Sequence, residues 1–272
     1  MYSSISRRRI QQHPAIDQLR SRGWRGGLIT PHRAIARLRL RPRGVVESMV
    51  LASTMTAGWI LALPEVGRFW AAIFAFWGKH LNLAPEVTLV PQGWGRVQFA
   101  LPCFGVSAGS TGGPIWWITA AVTVLVFLGS FRLGEEALPW SYLVRGFCLL
   151  QTTALGYFAL ASARFPHALP SYTVSMLLFS CILIGLIPWL YAFTFYLLNF
   201  SLQQKVFLTL VTVLHLLLLV PHQYLLHVYV LHGSILFMPL LYFVFGPFLD
   251  ILAFVGFYSW GMSWNAPDAL EI

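Results

Sequence analysis

Residues 115–131 read IWWITAAVTVLVFLGSF, without one Asp, Glu, Lys or Arg, and their reading decides the fold class. A hydrocarbon core about 30 Å thick demands roughly 17 to 25 apolar residues of a helix that satisfies its own backbone, and this stretch meets the requirement. Residues 147–161, 172–200 and 206–220 are equally free of acids, lysine and arginine. Repetition of the pattern makes the chain a polytopic membrane protein. Composition agrees: 57% of residues are hydrophobic, 15% aromatic and only 10% charged, against about 25% charged in an ordinary soluble domain. So few charges cannot clothe a water-exposed surface, which excludes an independent soluble domain.

The formal charge of +9 is concentrated at one end. Arg7, Arg8, Arg9, Arg20, Arg22, Arg25, Arg33, Arg37, Arg39, Arg41 and Arg43 face a single acid, Asp17, within the first 43 residues. A basic arm before a first span reads as the cytoplasmic anchor of the positive-inside rule, in contact with anionic lipid. Only Tyr2 and Trp24 interleave with these arginines, so no nucleic-acid partner is expected. An Arg- and Ser-rich leader also has the composition of an organelle transit peptide; we assign the chain to a bacterial inner membrane with its N-terminus cytoplasmic. The first apolar run starts only near Val45, so no cleavable signal sequence is expected. Cys103, Cys148 and Cys181 share no metal-ligand spacing and cannot all pair, which argues against a disulfide framework.

Working outward, a first span is expected over 45–63. Residues 68–81 (RFWAAIFAFWGKHL) then form a short Trp-rich amphipathic helix lying in the interface. Strands at 86–90 and 96–101 follow, joined through Pro91-Gln92-Gly93-Trp94-Gly95 as a small hairpin. A Gly/Ser-rich connector over 105–114 leads into the second span at 115–131. Further spans are expected at 140–162 and 172–200. Between 206 and 264, Pro221, Gly233, Pro239 and Gly246-Pro247 serve as turns or kinks, giving six spans if two long helices form and seven if three short ones do; six is preferred. The fold class is therefore an all-α polytopic membrane protein of about six transmembrane helices, with an extracytoplasmic amphipathic helix and β-hairpin between the first and second. Its domains are a basic arm (1–44), a transmembrane domain (45–265, containing the extracytoplasmic segment 64–114) and a short tail (266–272).

The segment ending in Cys103 carries the most specific motif. An interfacial helix, the hairpin VTLVPQGWGRVQFALP and Cys103-Phe104-Gly105-Val106 lead through the connector into a span. That order resembles the exosortase/archaeosortase family, membrane transpeptidases that cut a C-terminal sorting helix from an exported substrate. The resemblance covers about residues 45–200. It implies Cys103 as nucleophile, His167 at the start of the fourth span as general base and acid, and Arg164 as oxyanion stabiliser. Phe104 stands where a small or polar residue is usual, and no Asn precedes either candidate arginine. Arg145 has a more typical distance from Cys103 in the chain but sits toward the cytoplasmic end; Arg164 is preferred because the groups must converge. A thiol attacks only as thiolate, and a neighbouring His and Arg would lower its pKa and steady an acyl oxyanion.

Gly105-Val106-Ser107-Ala108-Gly109 matches G-x-S-x-G, but that motif needs a strand, a sharp turn and a helix within an α/β sheet, and a flexible connector is the better reading. His215, His222, His227 and His232 cluster late. The seven-residue step puts the first two on one helix face, and the following five-residue steps turn the face by about 140°, so one metal ion cannot hold the set without the kink at Pro221. No cofactor or metal ligand set is expected, although intramembrane ionisable groups are functional candidates by default. Asp250, the single carboxylate in the last apolar region, needs a partner such as one of these histidines or a tyrosine.

Three functions remain open. The first is a membrane cysteine transpeptidase acting on a membrane-anchored protein. The second is a non-catalytic component of an envelope biogenesis, export or polysaccharide assembly system. The third is a haem-, metal- or quinone-binding or transport protein using the late histidines and Asp250.

Overall fold

The computed structural model describes residues 42–83, 86–134, 137–162, 165, 168–195 and 200–264. The expected basic arm lies outside the described residues except for its last three, and so does the tail 266–272. Among the described residues seven α-helices and one hairpin follow in order: α1 (Pro42–His80), β1 (Val87–Trp94), β2 (Val97–Phe104), α2 (Pro114–Gly129), α3 (Leu138–Ala161), α4 (Leu169–Phe195), α5 (Leu202–Gly233), α6 (Met238–Phe245) and α7 (Pro247–Ser263). The described residues form six helical stretches long and apolar enough to cross a membrane, the sixth being Ile235–Ser263, which contains α6 and α7. An all-α polytopic membrane protein is the result.

One expectation is corrected at α1. Residues 68–81 were expected as a separate interfacial helix, but α1 runs unbroken for 39 residues with Pro64 inside it, about 58 Å at 1.5 Å per residue. Its buried face explains why. Ser48, Ala52, Trp59, Leu63, Val66, Gly67, Trp70, Phe74 and Gly78 recur at three- to four-residue steps with one seven-residue gap, a single stripe that continues past Pro64. Proline removes one backbone bond; tertiary packing along the stripe holds the helix through it. This half turns Trp70 and Phe74 inward, both fully buried, while Phe69, Phe76 and Trp77 stay exposed on its other side. Ion pairing of Arg68 with Glu65 occupies its exposed side.

What α1 packs against is the hairpin, and also α4. The strands pair antiparallel from Val87↔Phe104 to Trp94↔Val97, longer than expected. Gly95 and Arg96 form the two-residue turn, not the five residues from Pro91 to Gly95. Gly95 has φ 61°, as the first central residue of a II′-type turn requires. Expected alternation holds at the start of β2, where Phe99 and Leu101 are buried, and then Pro102, Cys103 and Phe104 are all buried as well. Phe104 stacks on Phe74 at 5.3 Å between ring centroids. A Cβ on Gly67 would come within 2.2 Å of the Ala100 carbonyl oxygen, so strand and helix meet at a distance only glycine permits.

Elsewhere the spans are joined by single directed contacts. Pro221 inside α5 cannot bond the Leu217 carbonyl, and the Trp70 indole donates to that carbonyl at 2.9 Å. Trp59 donates to the Cys181 carbonyl at 2.9 Å, and Trp116 of α2 to the Leu155 carbonyl of α3 at 3.1 Å. Ser201 and Gln204 close a capping box at the start of α5. The connector after β2 is strapped to the far end of the same helix: Gly109 N–H donates to the Leu231 carbonyl at 2.9 Å and Ser234 Oγ to the Ser110 carbonyl at 3.1 Å.

Candidate intramembrane polar site

Asp250 lies in the first turn of α7 and is 1% exposed. The chain reaches it through a break. Gly246, at φ −98° and ψ −141°, separates α6 from α7, and a Cβ there would stand 2.2 Å from the Tyr242 carbonyl oxygen. The last span is thus two half-helices, and the carboxyl group belongs to the first turn of the second, where negative charge is favoured.

Helix periodicity brings partners from two other spans. On α4, Tyr172 and Ser180 are eight residues apart and share the buried face, while on α5 Gln223, Tyr224 and His227 do the same. Ser180 Oγ donates to Asp250 Oδ2 at 3.1 Å and lies 3.4 Å from the Tyr224 hydroxyl. A serine has one proton, so Ser180 donates either to Asp250 or to the Tyr224 hydroxyl and not to both at once. Ser180 thus stands between the tyrosine hydroxyl and the carboxyl. Gln223 reaches the Asp250 carboxyl at the edge of hydrogen-bonding range, and both Gln223 amide atoms and Asp250 Oδ1 are buried without a closer partner.

A second group adjoins the first. The rings of Tyr224 and His227 meet edge to face at 5.1 Å. His227 Nε2 lies 3.0 Å from the Phe245 carbonyl, which the helix break leaves free, and Nδ1 lies 3.0 Å from the Tyr172 hydroxyl. A carbonyl only accepts, so Nε2 carries the proton, and Nδ1 accepts from Tyr172 in the neutral imidazole. His227 is satisfied without charge. Among the described residues no cation contacts Asp250: Lys205 Nζ donates to Ser48 Oγ at 3.2 Å, and Arg145 is engaged with Ser130.

The other late histidines do not join this cluster. His215 and His222 are exposed, His222 contacting the Leu218 carbonyl. His232 is exposed and reaches the Ser107 carbonyl at 3.0 Å. Among the described residues no group of three His, Cys, Asp or Glu side chains could hold a metal ion.

Of the three residues singled out as catalytic, only Cys103 is described; Arg164 and His167 lie outside the described residues. Cys103 is 3% exposed, and burial pushes its thiol pKa up from the ordinary value, away from thiolate. No side chain among the described residues hydrogen-bonds it. Arg145 is held at the opposite end of α2 from the connector, where its guanidinium donates to Ser130 Oγ at 3.1 Å and covers the Phe131 ring at 4.1 Å. The G-x-S-x-G stretch is neither helix nor strand and leads into the α5 strap, with Gly109 so close to Gly233 that a Cβ would stand 2.3 Å from its carbonyl oxygen.

Comparison with family models, curated proteins and solved structures gave no match. The arrangement of residues is therefore the whole basis for a functional reading. Asp250 is visible in the sequence as a carboxylate in an apolar run, whereas Ser180, Gln223 and Tyr172 carry no local signal and become partners only through packing.

Proposed function

We propose that this chain is a transport-type protein of a bacterial plasma membrane, with Asp250 binding and releasing a proton inside the bundle. The observation that carries the reading is a nearly wholly buried carboxyl in a broken span with only neutral groups beside it. An ionised carboxylate taken out of water without a cation costs several kcal/mol on the order of magnitude known for buried ions. Such a group is retained where its charge state is used, and broken helices at the bundle interior are the usual setting for coupling sites. Tyr224 and Ser180 supply the hydroxyl path for proton entry, and the His227–Tyr172 pair extends polar character along α4 and α5. In this topology the arginine arm holds the N-terminus in the cytoplasm, and the hairpin, the strap and the α3–α4 loop occupy the outer end. The test is proton flux into liposomes holding the purified chain, read with an entrapped pH dye. Wild type is expected to collapse an imposed pH gradient and Asp250→Asn to hold it; equal rates in the two would end the proposal.

A second reading keeps the exosortase-like chemistry, with Cys103, Arg164 and His167 acting on a membrane-anchored protein tail. What favours it is that Phe104, beside Cys103, and Leu169, which opens α4 after the Arg164–His167 loop, belong to one packed core. Loss of substrate processing in Cys103→Ala supports it, and processing that survives the change rules it out.

A further inference from the structure

The Asp250 cluster offers more than a proton needs. Its donor set is almost wholly oxygen: the Asp250 carboxylate with Oδ1 unpartnered, the Gln223 amide, Ser180 Oγ and Tyr224 OH. Hard cations select such ligands, whereas nitrogen and sulfur donors select softer metals. One carboxylate supplies a single negative charge, which matches a monovalent ion and falls short of the charge that divalent sites gather. The Gln223 side chain is 5% exposed, so its unpartnered amide points into protein and not into water. Gln223 Oε1 and Asp250 Oδ1 are buried acceptor oxygens with no donor to satisfy them, on side chains within reach of one another, and a cation would satisfy both.

We infer that the cluster binds a sodium ion in competition with the proton on Asp250. This rests on the proposed role of Asp250 and deepens it by naming the exchanged ion. The step balances one for one: Na⁺ enters as the carboxyl O–H bond breaks and the proton leaves to water, so the site keeps the same net charge in both states. Gln223 contributes its amide oxygen as ligand in the sodium form, and its amide N–H is free to donate to the carboxyl in the proton form. The groups that face Asp250 are Ser180 from α4 and Gln223 and Tyr224 from α5. His227 packs against the Tyr224 ring. None carries a positive charge that would replace the ion.

The test is equilibrium binding of radioactive sodium to the purified full chain in detergent, at acidic and at alkaline pH. Wild type is expected to bind in the millimolar range or tighter, at least tenfold better at alkaline pH. Asp250→Asn should abolish binding. Gln223→Ala should weaken it about tenfold, the loss of one ligand worth about 1.4 kcal/mol, while Gln223→Glu, which adds a carboxylate, retains or strengthens it. Thermal unfolding of each variant establishes that it is folded. No saturable sodium binding by a wild-type chain that still takes up protons at Asp250 overturns this inference and leaves the proton reading standing. Absence of both overturns both. Sodium binding that survives in Asp250→Asn overturns the assignment of the site.

Discussion

Gly67→Ala tests the docking of the hairpin on α1, the contact that separates this fold from a bundle with a loose loop between its first two spans. The added Cβ would lie 2.2 Å from the Ala100 carbonyl oxygen, about 1 Å inside ordinary contact for a buried pair, and both partners are backbone-borne, so neither can swing aside. Overpacking of this kind costs about 1–3 kcal/mol. Replacing glycine in a helix interior also returns about 0.5–1 kcal/mol of backbone entropy. Gly58→Ala provides the reference, because it lies in the same helix, is exposed, and its Cβ would meet nothing within 4 Å. The propensity gain cancels between the two variants, so the difference isolates the clash: Gly67→Ala should be about 1–3 kcal/mol less stable than Gly58→Ala. For a chain of this size that is a gap in melting temperature of about 2–12 °C. Purified variants in one detergent, followed by tryptophan fluorescence on heating, give the comparison. Equal melting temperatures would refute the docked hairpin.

Two further outcomes follow from named contacts. Trp70→Phe deletes the indole donor to the Leu217 carbonyl and should cost about 0.5–1.5 kcal/mol; the loss should shrink in a Pro221→Ala background, where residue 221 regains an N–H for that carbonyl, and a double-mutant cycle on thermal stability reads the coupling. Cys103, buried and with its pKa raised above 9.0, should react slowly with maleimide at neutral pH and quickly once the chain is unfolded. The sign follows from linkage: a thiol held protonated by the fold contributes stability in full below its unfolded pKa and loses it as pH rises through the higher folded value, so this contribution fades only above about pH 9. Fast labelling of the native chain at neutral pH would contradict the burial.

The spans were legible because each is a run of apolar residues long enough to cross a bilayer, a property of the local sequence. The expected break between 63 and 68 is absent for a physical reason: the proline at 64 breaks a helix only when packing does not hold the helix through it, and the packing here is supplied by β2, some 35 residues later. The hairpin was legible in its alternation of Val97, Phe99 and Leu101, while its turn was displaced because Gly95, not the preceding Pro-Gln-Gly run, takes the positive φ. Spacing alone separated the late histidines, and only His227 is buried with two side-chain hydrogen-bond contacts. Asp250 was visible with its need for a partner, but the partner is Ser180, a residue type abundant in membrane helices and 70 positions away. Such a pairing is fixed by how α4 and α7 pack, which no local pattern encodes.

Infrared difference spectroscopy of the native chain during a pH titration reads the charge state of Asp250 itself. A protonated-carboxyl band that disappears as pH rises, and is missing from Asp250→Asn at every pH, is the expected result. A band that persists unchanged in Asp250→Asn, or no titrating carboxyl in the folded protein, would mean that the buried acid does not exchange its proton and that the site lies elsewhere.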